Sequence, residues 1–184
     1  TIRSWDAEFL DLGRRLDESR RRALALALDS LRQHGAALLE AELSFEYQQG
    51  WSRDKDLGAA LEEGLERDRQ LGSTQHGPHR ADIKVNYDQR LARKLVSRGQ
   101  QKLLASAMIL AATATAQAAL KRPLLLLLDD PAAELDDASI RRLMAAVSAL
   151  GCQVVATSLD AAALKLTEKP SLFHVEQGVV TRLE

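Results

Sequence analysis

Two clusters of residues in this 184-residue chain are placed to do chemistry. In the first, five leucines (Leu124 to Leu128) run straight into Asp129-Asp130-Pro131, and Glu134-Leu135-Asp136 follows. A greasy run that ends in two acids reads as a buried strand carrying carboxylates to the crevice at the C-terminal end of a parallel sheet. There Asp129 would hold Mg2+ through its water shell, because Mg2+ dehydrates reluctantly. Asp130 would orient or activate an attacking water, as nucleotide hydrolases require. The second cluster is Ser97-Arg98-Gly99-Gln100-Gln101-Lys102, about one helix upstream. Ser97 can cap the helix that follows, and Gly99 lets backbone N–H groups approach a ligand. A helix start with free N–H groups and a positive dipole attracts anions. The plain structural alternatives are acids that cap a helix and an ordinary capped helix start. They lose weight because the elements occur together, in order and at suitable distances.

A phosphate cradle is absent. A Walker A loop needs Gly-Lys followed by Ser or Thr, and none of the ten glycines here is followed by Lys. This chain alone is therefore expected to bind ATP weakly or not at all. Between Gln89 and Lys102 there is no acid but five basic residues, Arg90, Arg93, Lys94, Arg98 and Lys102. This is the best candidate for a face toward phosphate, of nucleotide or of DNA.

Composition bounds the rest. Lys and Arg total 25 against 26 Asp and Glu, a net charge of −1, so overall charge argues neither for nor against nucleic acid. One cysteine, Cys152, excludes a disulfide framework, fits a reducing cytosol, and reads as a small buried residue. No signal peptide and no span of about 18 apolar residues is seen, so a soluble, cytoplasmic protein with no membrane partner is expected. Because the chain starts at Thr1, it is expected to be a piece of something longer.

The elements that must position these residues follow from periodicity. Ile2, Trp5, Phe9, Leu12, Leu16, Ala23 and Leu26 recur at helical spacing and predict a long amphipathic helix. Its arginines, Arg14, Arg15, Arg20, Arg21 and Arg22, read as a solvated face first and as a DNA contact second. Leu43 to Tyr47 alternates as a strand, and Leu57, Leu61 and Leu65 give a helix that stops before Gly72. His76 and His79 sit in a Gly/Pro-rich loop with no third metal ligand nearby, which favours hydrogen-bonded structure. A strand at Ile83–Tyr87, a helix over 99–120, a central strand at Leu124–Leu128 covered on both faces, a helix over 140–150, a strand at 154–157, a short helix at 161–166 and a closing hairpin complete the chain. Strand–helix–strand–helix is α/β with a mostly parallel sheet.

Ser-Arg-Gly-Gln-Gln-Lys, Leu-Leu-Asp-Asp, Glu-Leu-Asp and a following Val-Val-Ala-Thr strand, in that order, resemble the ABC-type ATPases of the SMC class. Gly77-Pro78-His79-Arg80-Ala81-Asp82, with Leu43-Ser44-Phe45 and Gly50-Trp51, narrows the resemblance to the C-terminal portion of the RecF family of recombination and replication-repair proteins. The resemblance implies part of a helical inserted arm over 1–72 and the C-terminal part of an ABC-type ATPase head over 73–184. It implies ATP and Mg2+ as cofactors, and slow hydrolysis at a head-to-head homodimer interface. That cycle would gate binding of single-stranded and gapped duplex DNA, with RecO and RecR proteins as partners, in gap repair and SOS induction. Ser97, Arg98, Gly99 and Gln100 match the signature motif, which contacts the γ-phosphate held by the opposite subunit. Asp129 and Asp130 match the acids of the Walker B strand, and Asp136 the D-loop acid. Thr157 or Ser158 occupies the switch region, where many ABC ATPases carry His. The Walker A lysine and the glutamine loop would come from an N-terminal half. The competing readings are a non-hydrolytic binding and dimerisation fragment, and another SMC-like ABC ATPase.

Overall fold

The structure, a computed structural model, describes residues 6–166 and 169–183. The first section is dominated by one 34-residue helix, α1 (Asp6–Leu39). Ile2 and Trp5, expected at its start, lie outside the described residues. The expected apolar stripe is not the buried one. Phe9, Leu12, Leu16 and Leu26 are exposed, Leu26 by 73%. The buried side runs instead through Gly13, Leu31, Gly35 and Leu38. The reason is close approach. A Cβ at Gly35 would lie 2.5 Å from Leu43 Cδ1, so α1 seats a neighbouring leucine on a side chain it lacks.

After α1 comes β1 (Leu43–Gln48). Next is α2 (Leu57–Leu71), capped by Asp56 and closed by left-handed Gly72. A 3-10 turn at Pro78–Arg80 leads into β2 (Asp82–Tyr87), and β3 (Arg90–Leu91) follows. β1 and β2 pair antiparallel from Leu43↔Tyr87 to Gln48↔Asp82. Asp88 and Gln89 both take positive φ, 45° and 64°, to make the tight turn into β3; that pair of left-handed residues matches the twist of a two-residue hairpin. Four of the five arginines named on α1 are spent locally, and Arg22 is exposed. Arg15 pairs with Asp11 and Arg21 with Asp17 one turn away, Arg14 reaches Asp56, and Arg20 donates to the Pro78 carbonyl. His79 bonds the Thr74 carbonyl at 2.9 Å.

The second section starts with α3 (Arg98–Leu120), then β4 (Leu125–Leu128), α4 (Asp137–Ala149) and β5 (Gln153–Ala156). β4 and β5 are parallel and in register from Leu125↔Gln153 to Leu128↔Ala156. The expected helix at 161–166 is a 3-10 turn over Ala161–Leu164. β6 (Leu172–Glu176) and β7 (Val179–Leu183) form the closing hairpin through Gln177-Gly178, exposed along both strands. The main core is built from Leu38, Leu43, Leu103, Leu110, Leu126 and Leu143 with their neighbours. It therefore draws on the end of α1 and on β1 as well as on α3, β4 and α4. Cys152 is half-buried and packs against this core.

Two expectations need correction. β4 is covered on one face only: Leu126 is 6% exposed, but Leu125 and Leu127 are 56% and 68% exposed, and Val155 beside them is open too. Side chains alternate across a strand, and the core that takes in Leu126, with residues of α1, β1, α3 and α4, lies on the side to which Leu126 points. Second, α3 is long and apolar enough, by length and composition, to cross a membrane. Alanines and leucines, with Met108 and Ile109, carry it past that threshold, and a core helix passes the same test. Its Leu103, Ala107, Leu110 and Ala111 are buried in the core.

Candidate nucleotide-facing site

The parallel register explains why the acids meet Thr157. Leu128 pairs with Ala156, so the next residues along, Asp129 and Thr157, leave the sheet side by side. The ladder runs one step further, with Thr157 N donating to the Leu128 carbonyl at 2.9 Å. Thr157 Oγ1 then donates to Asp129 Oδ1 at 2.6 Å and accepts from the backbone N–H of Asp130 at 3.0 Å. One hydroxyl thus ties both acids to the end of β5. Ser158, the other switch candidate, turns away: its hydroxyl donates to the Asp160 carbonyl and accepts from the Asp160 N–H.

The carboxylate of Asp130 makes no hydrogen bond or ion pair among the described residues, and Asp129 keeps its second oxygen free. Two available carboxylates at a strand end fit a hydrated divalent cation, which commonly takes one or two carboxylates and fills its sphere with water and phosphate oxygens. Among the described residues no three His, Cys, Asp or Glu converge as a closed metal cage, so the fit is to an open, shared site. Asp130 has φ 41° and Glu134 φ 64°; the turn between them carries left-handed backbone at two non-glycine positions.

Ser97 and Gln100 form a capping box at the start of α3. Gln100 N donates to Ser97 Oγ at 3.3 Å, and Ser97 N donates to Gln100 Oε1 at 2.9 Å. The hydroxyl proton of Ser97 stays available for an outside acceptor. A Cβ at Gly99 would lie 3.1 Å from the Glu134 carbonyl, so glycine lets the helix start sit against the turn that follows the acids. Arg90, Arg93, Lys94 and Arg98 are exposed and make no ion pair among the described residues. Lys102 behaves differently. It is half-buried and its Nζ donates to the Asp130 and Ala133 carbonyls at 2.8 and 2.9 Å. The sequence marks Lys102 as one more basic residue; no signal there shows that it turns inward.

Asp136 caps α4, accepting from Ser139 N at 2.7 Å. That backbone N–H, first among its causes, holds the Asp136 carboxyl below its ordinary value of 3.8. A carboxyl that titrates lower when folded stabilises above its unfolded pKa and loses that contribution as pH falls through the folded one. The thermal midpoint should therefore fall on acidification below about pH 4, and less steeply in Asp136→Asn, which keeps a cap acceptor that does not titrate. Melting curves across that range read the difference; parallel slopes would remove Asp136 from the acid response.

A two-stranded parallel pair packed with α3 and α4, with acids at its C-terminal end beside a capped helix start, is an α/β arrangement that solved ATPase-head structures share. The same fold occurs in the SMC head bound to the C-winged helix domain of ScpA, with TM-score 0.58 at 16% identity over 89% of this chain and 43% of that one. The recombination mediator RecF of the RecFOR pathway matches more fully. Its ATP form gives TM-score 0.78 at 23% identity over 98% of this chain and 49% of that one, and its ATPrS form 0.80 at 23% identity. Among curated proteins, the DNA replication and repair protein RecF of Pseudomonas fluorescens (strain Pf0-1) is 37% identical over 183 residues. RecF of Azotobacter vinelandii is 37% identical over 184. The chain spans about half the length of these relatives, 50% in each case, and fits a C-terminal portion of RecF. No family model matches it.

Proposed function

We propose that this chain is the C-terminal half of a RecF-type DNA replication and repair ATPase, and that it supplies the acid and signature sides of a nucleotide site shared between two subunits. The observation that carries the reading is Thr157 Oγ1 bonded to both Asp129 and Asp130, which fixes the acid pair against the switch strand while leaving carboxylate oxygens free. Asp129 holds a hydrated Mg2+ that, when bound, neutralises developing phosphate charge. Asp130 takes the proton of, or aligns, the attacking water. Ser97, Arg98, Gly99 and Gln100 face the γ-phosphate of the opposite subunit, and Asp136 anchors the D-loop between them. Residues 1–72 belong to the arm and 73–184 to the head, with the end of α1 and β1 acting as the joint packed into the head's core. ATP closes a head-to-head homodimer on single-stranded or gapped duplex DNA. Exposed Arg90, Arg93 and Lys94 offer cations to phosphate backbone. RecO and RecR are the partners this reading implies, recombinational gap repair and SOS induction the processes, and the cytoplasm the place.

The test is a pair of proteins: this chain, and a fusion placing ahead of Thr1 the half of Pseudomonas fluorescens RecF that the chain does not span. The chain alone should give no ATP turnover. The fusion should bind ATP, hydrolyse it slowly, and hold gapped duplex more tightly with ATP than without. Turnover by the chain alone, with contaminants excluded, would overturn the half-site reading. A folded fusion that binds no nucleotide would overturn the ATPase reading itself.

A further inference from the structure

The turn that carries the acids is held by a residue from another element. Asp130 and Glu134 sit in left-handed backbone at φ 41° and 64°. Non-glycine residues persist there only when their surroundings over-determine them. Inside the turn there are two backbone bonds, Ala133 N to Asp130 O at 3.2 Å and Leu135 N to Ala132 O at 3.2 Å. The outside hold comes from Lys102. Its ammonium has three protons to give and no acceptor capacity, and two go to carbonyls at the start and middle of the turn, Asp130 O at 2.8 Å and Ala133 O at 2.9 Å. Its stem is half-buried, and Lys102 makes no ion pair with a carboxylate among the described residues. Two further ties close the arrangement: the start of α3 lies against the Glu134 carbonyl at Gly99, and Thr157 holds the Asp130 N–H from the other side.

We propose that Lys102 is a positioning residue, a strut that locks the turn over 129–134 to the first turns of α3, so that the acids and the Ser97–Gln100 helix start move as one body. A shift of the helix start, such as an opposing nucleotide would impose, then reaches Asp130 through one ammonium and two carbonyls. The second half of this assignment rests on the reading of Asp130 as the water-directing acid; the first half does not.

Lys102→Met keeps most of the stem and removes the donors; Lys102→Arg keeps donors. In this chain, Lys102→Met should speed amide exchange at Ala133 and Leu135 about tenfold, the scale of a lost hydrogen bond to a charged group, and leave 140–147 in α4 unchanged. Lys102→Arg should recover part of the protection. In the fusion, Lys102→Met should lower kcat for ATP by about tenfold with its ATP dissociation constant held within about twofold. Unchanged exchange at Ala133 and Leu135, or acceleration spread equally over 140–147, would overturn the strut; parental turnover by the loosened variant would overturn its link to Asp130. If the turn loosens but the unmutated fusion hydrolyses nothing, Lys102 keeps its structural assignment and the ATPase reading falls. Should Lys102→Met not fold, Lys102→Leu, which also carries no donor, gives the same comparison.

Discussion

Asp130→Asn, in the fusion with the Pseudomonas fluorescens RecF half, is expected to lower ATP turnover by about a hundredfold or more, the usual contribution of a positioned acid or base. The ATP-bound dimer should accumulate, because binding needs the phosphate contacts and the cation whereas hydrolysis needs the water directed. The fold should survive the change. Every structural tie of Asp130 is made by its backbone: its N–H donates to Thr157 Oγ1 and its carbonyl accepts from Lys102. Its carboxylate has no partner among the described residues. Asparagine also tolerates the left-handed backbone found there, φ 41°, as well as aspartate does. Single-turnover hydrolysis and size-exclusion chromatography with ATP read the two effects separately. A variant that turned over ATP at the parental rate would remove Asp130 from the chemistry.

Leu38→Ala is expected to cost about 2–5 kcal/mol of stability, the range for emptying a well-packed leucine site. Leu38 is 0% exposed and lies in the same core as Leu110 on α3 and Leu143 on α4. Leu127→Ala, one residue from buried Leu126 but 68% exposed, should cost under about 1 kcal/mol. Urea unfolding of this chain, at matched slope, makes the comparison. Similar costs at the two positions would mean that α1 does not share a cooperative unit with the parallel pair. The expected contrast makes the end of the long helix a structural member of the head.

Much of this was readable before any coordinates. The acids at the end of β4, the serine cap of α3 and the Gln177-Gly178 turn are local patterns: a strand, a cap and a hairpin announce themselves within a few residues. The face of α1 was not readable, because the apolar stripe through Phe9, Leu12 and Leu16 has the right period and the true contact is made through glycine. Periodicity counts side chains and is blind to a close approach that uses none. The leucine run was read as covered on both faces because five leucines carry no alternation; the structure gives them one, Leu126 in and Leu125 and Leu127 out. The pairing of β1 with β2, across 34 residues from Gln48 to Asp82, is a long-range fact with no local signature. Neither is the inward turn of Lys102, since a basic residue in a basic stretch looks the same whether it meets water or two carbonyls.

The leucine run has a further property. Identical side chains do not mark register within the run; a slip of two keeps leucine at three of the five positions, and what opposes it is the residues beyond, Pro123 at one end and Asp129-Asp130 at the other. Register must be written at the margins of the run. Gln117 Oε1 accepts the N–H of Leu124 at 2.9 Å at one end, and Thr157 takes Asp129 at the other. The run itself is then a ruler. Its length sets how far the acids stand from the end of α3, at roughly 3.3 Å per residue. A chain with two leucines more would keep the same inward and outward alternation and present its carboxylates roughly 6.6 Å out of place. The number of leucines, more than their hydrophobicity, sets where Asp129 and Asp130 stand.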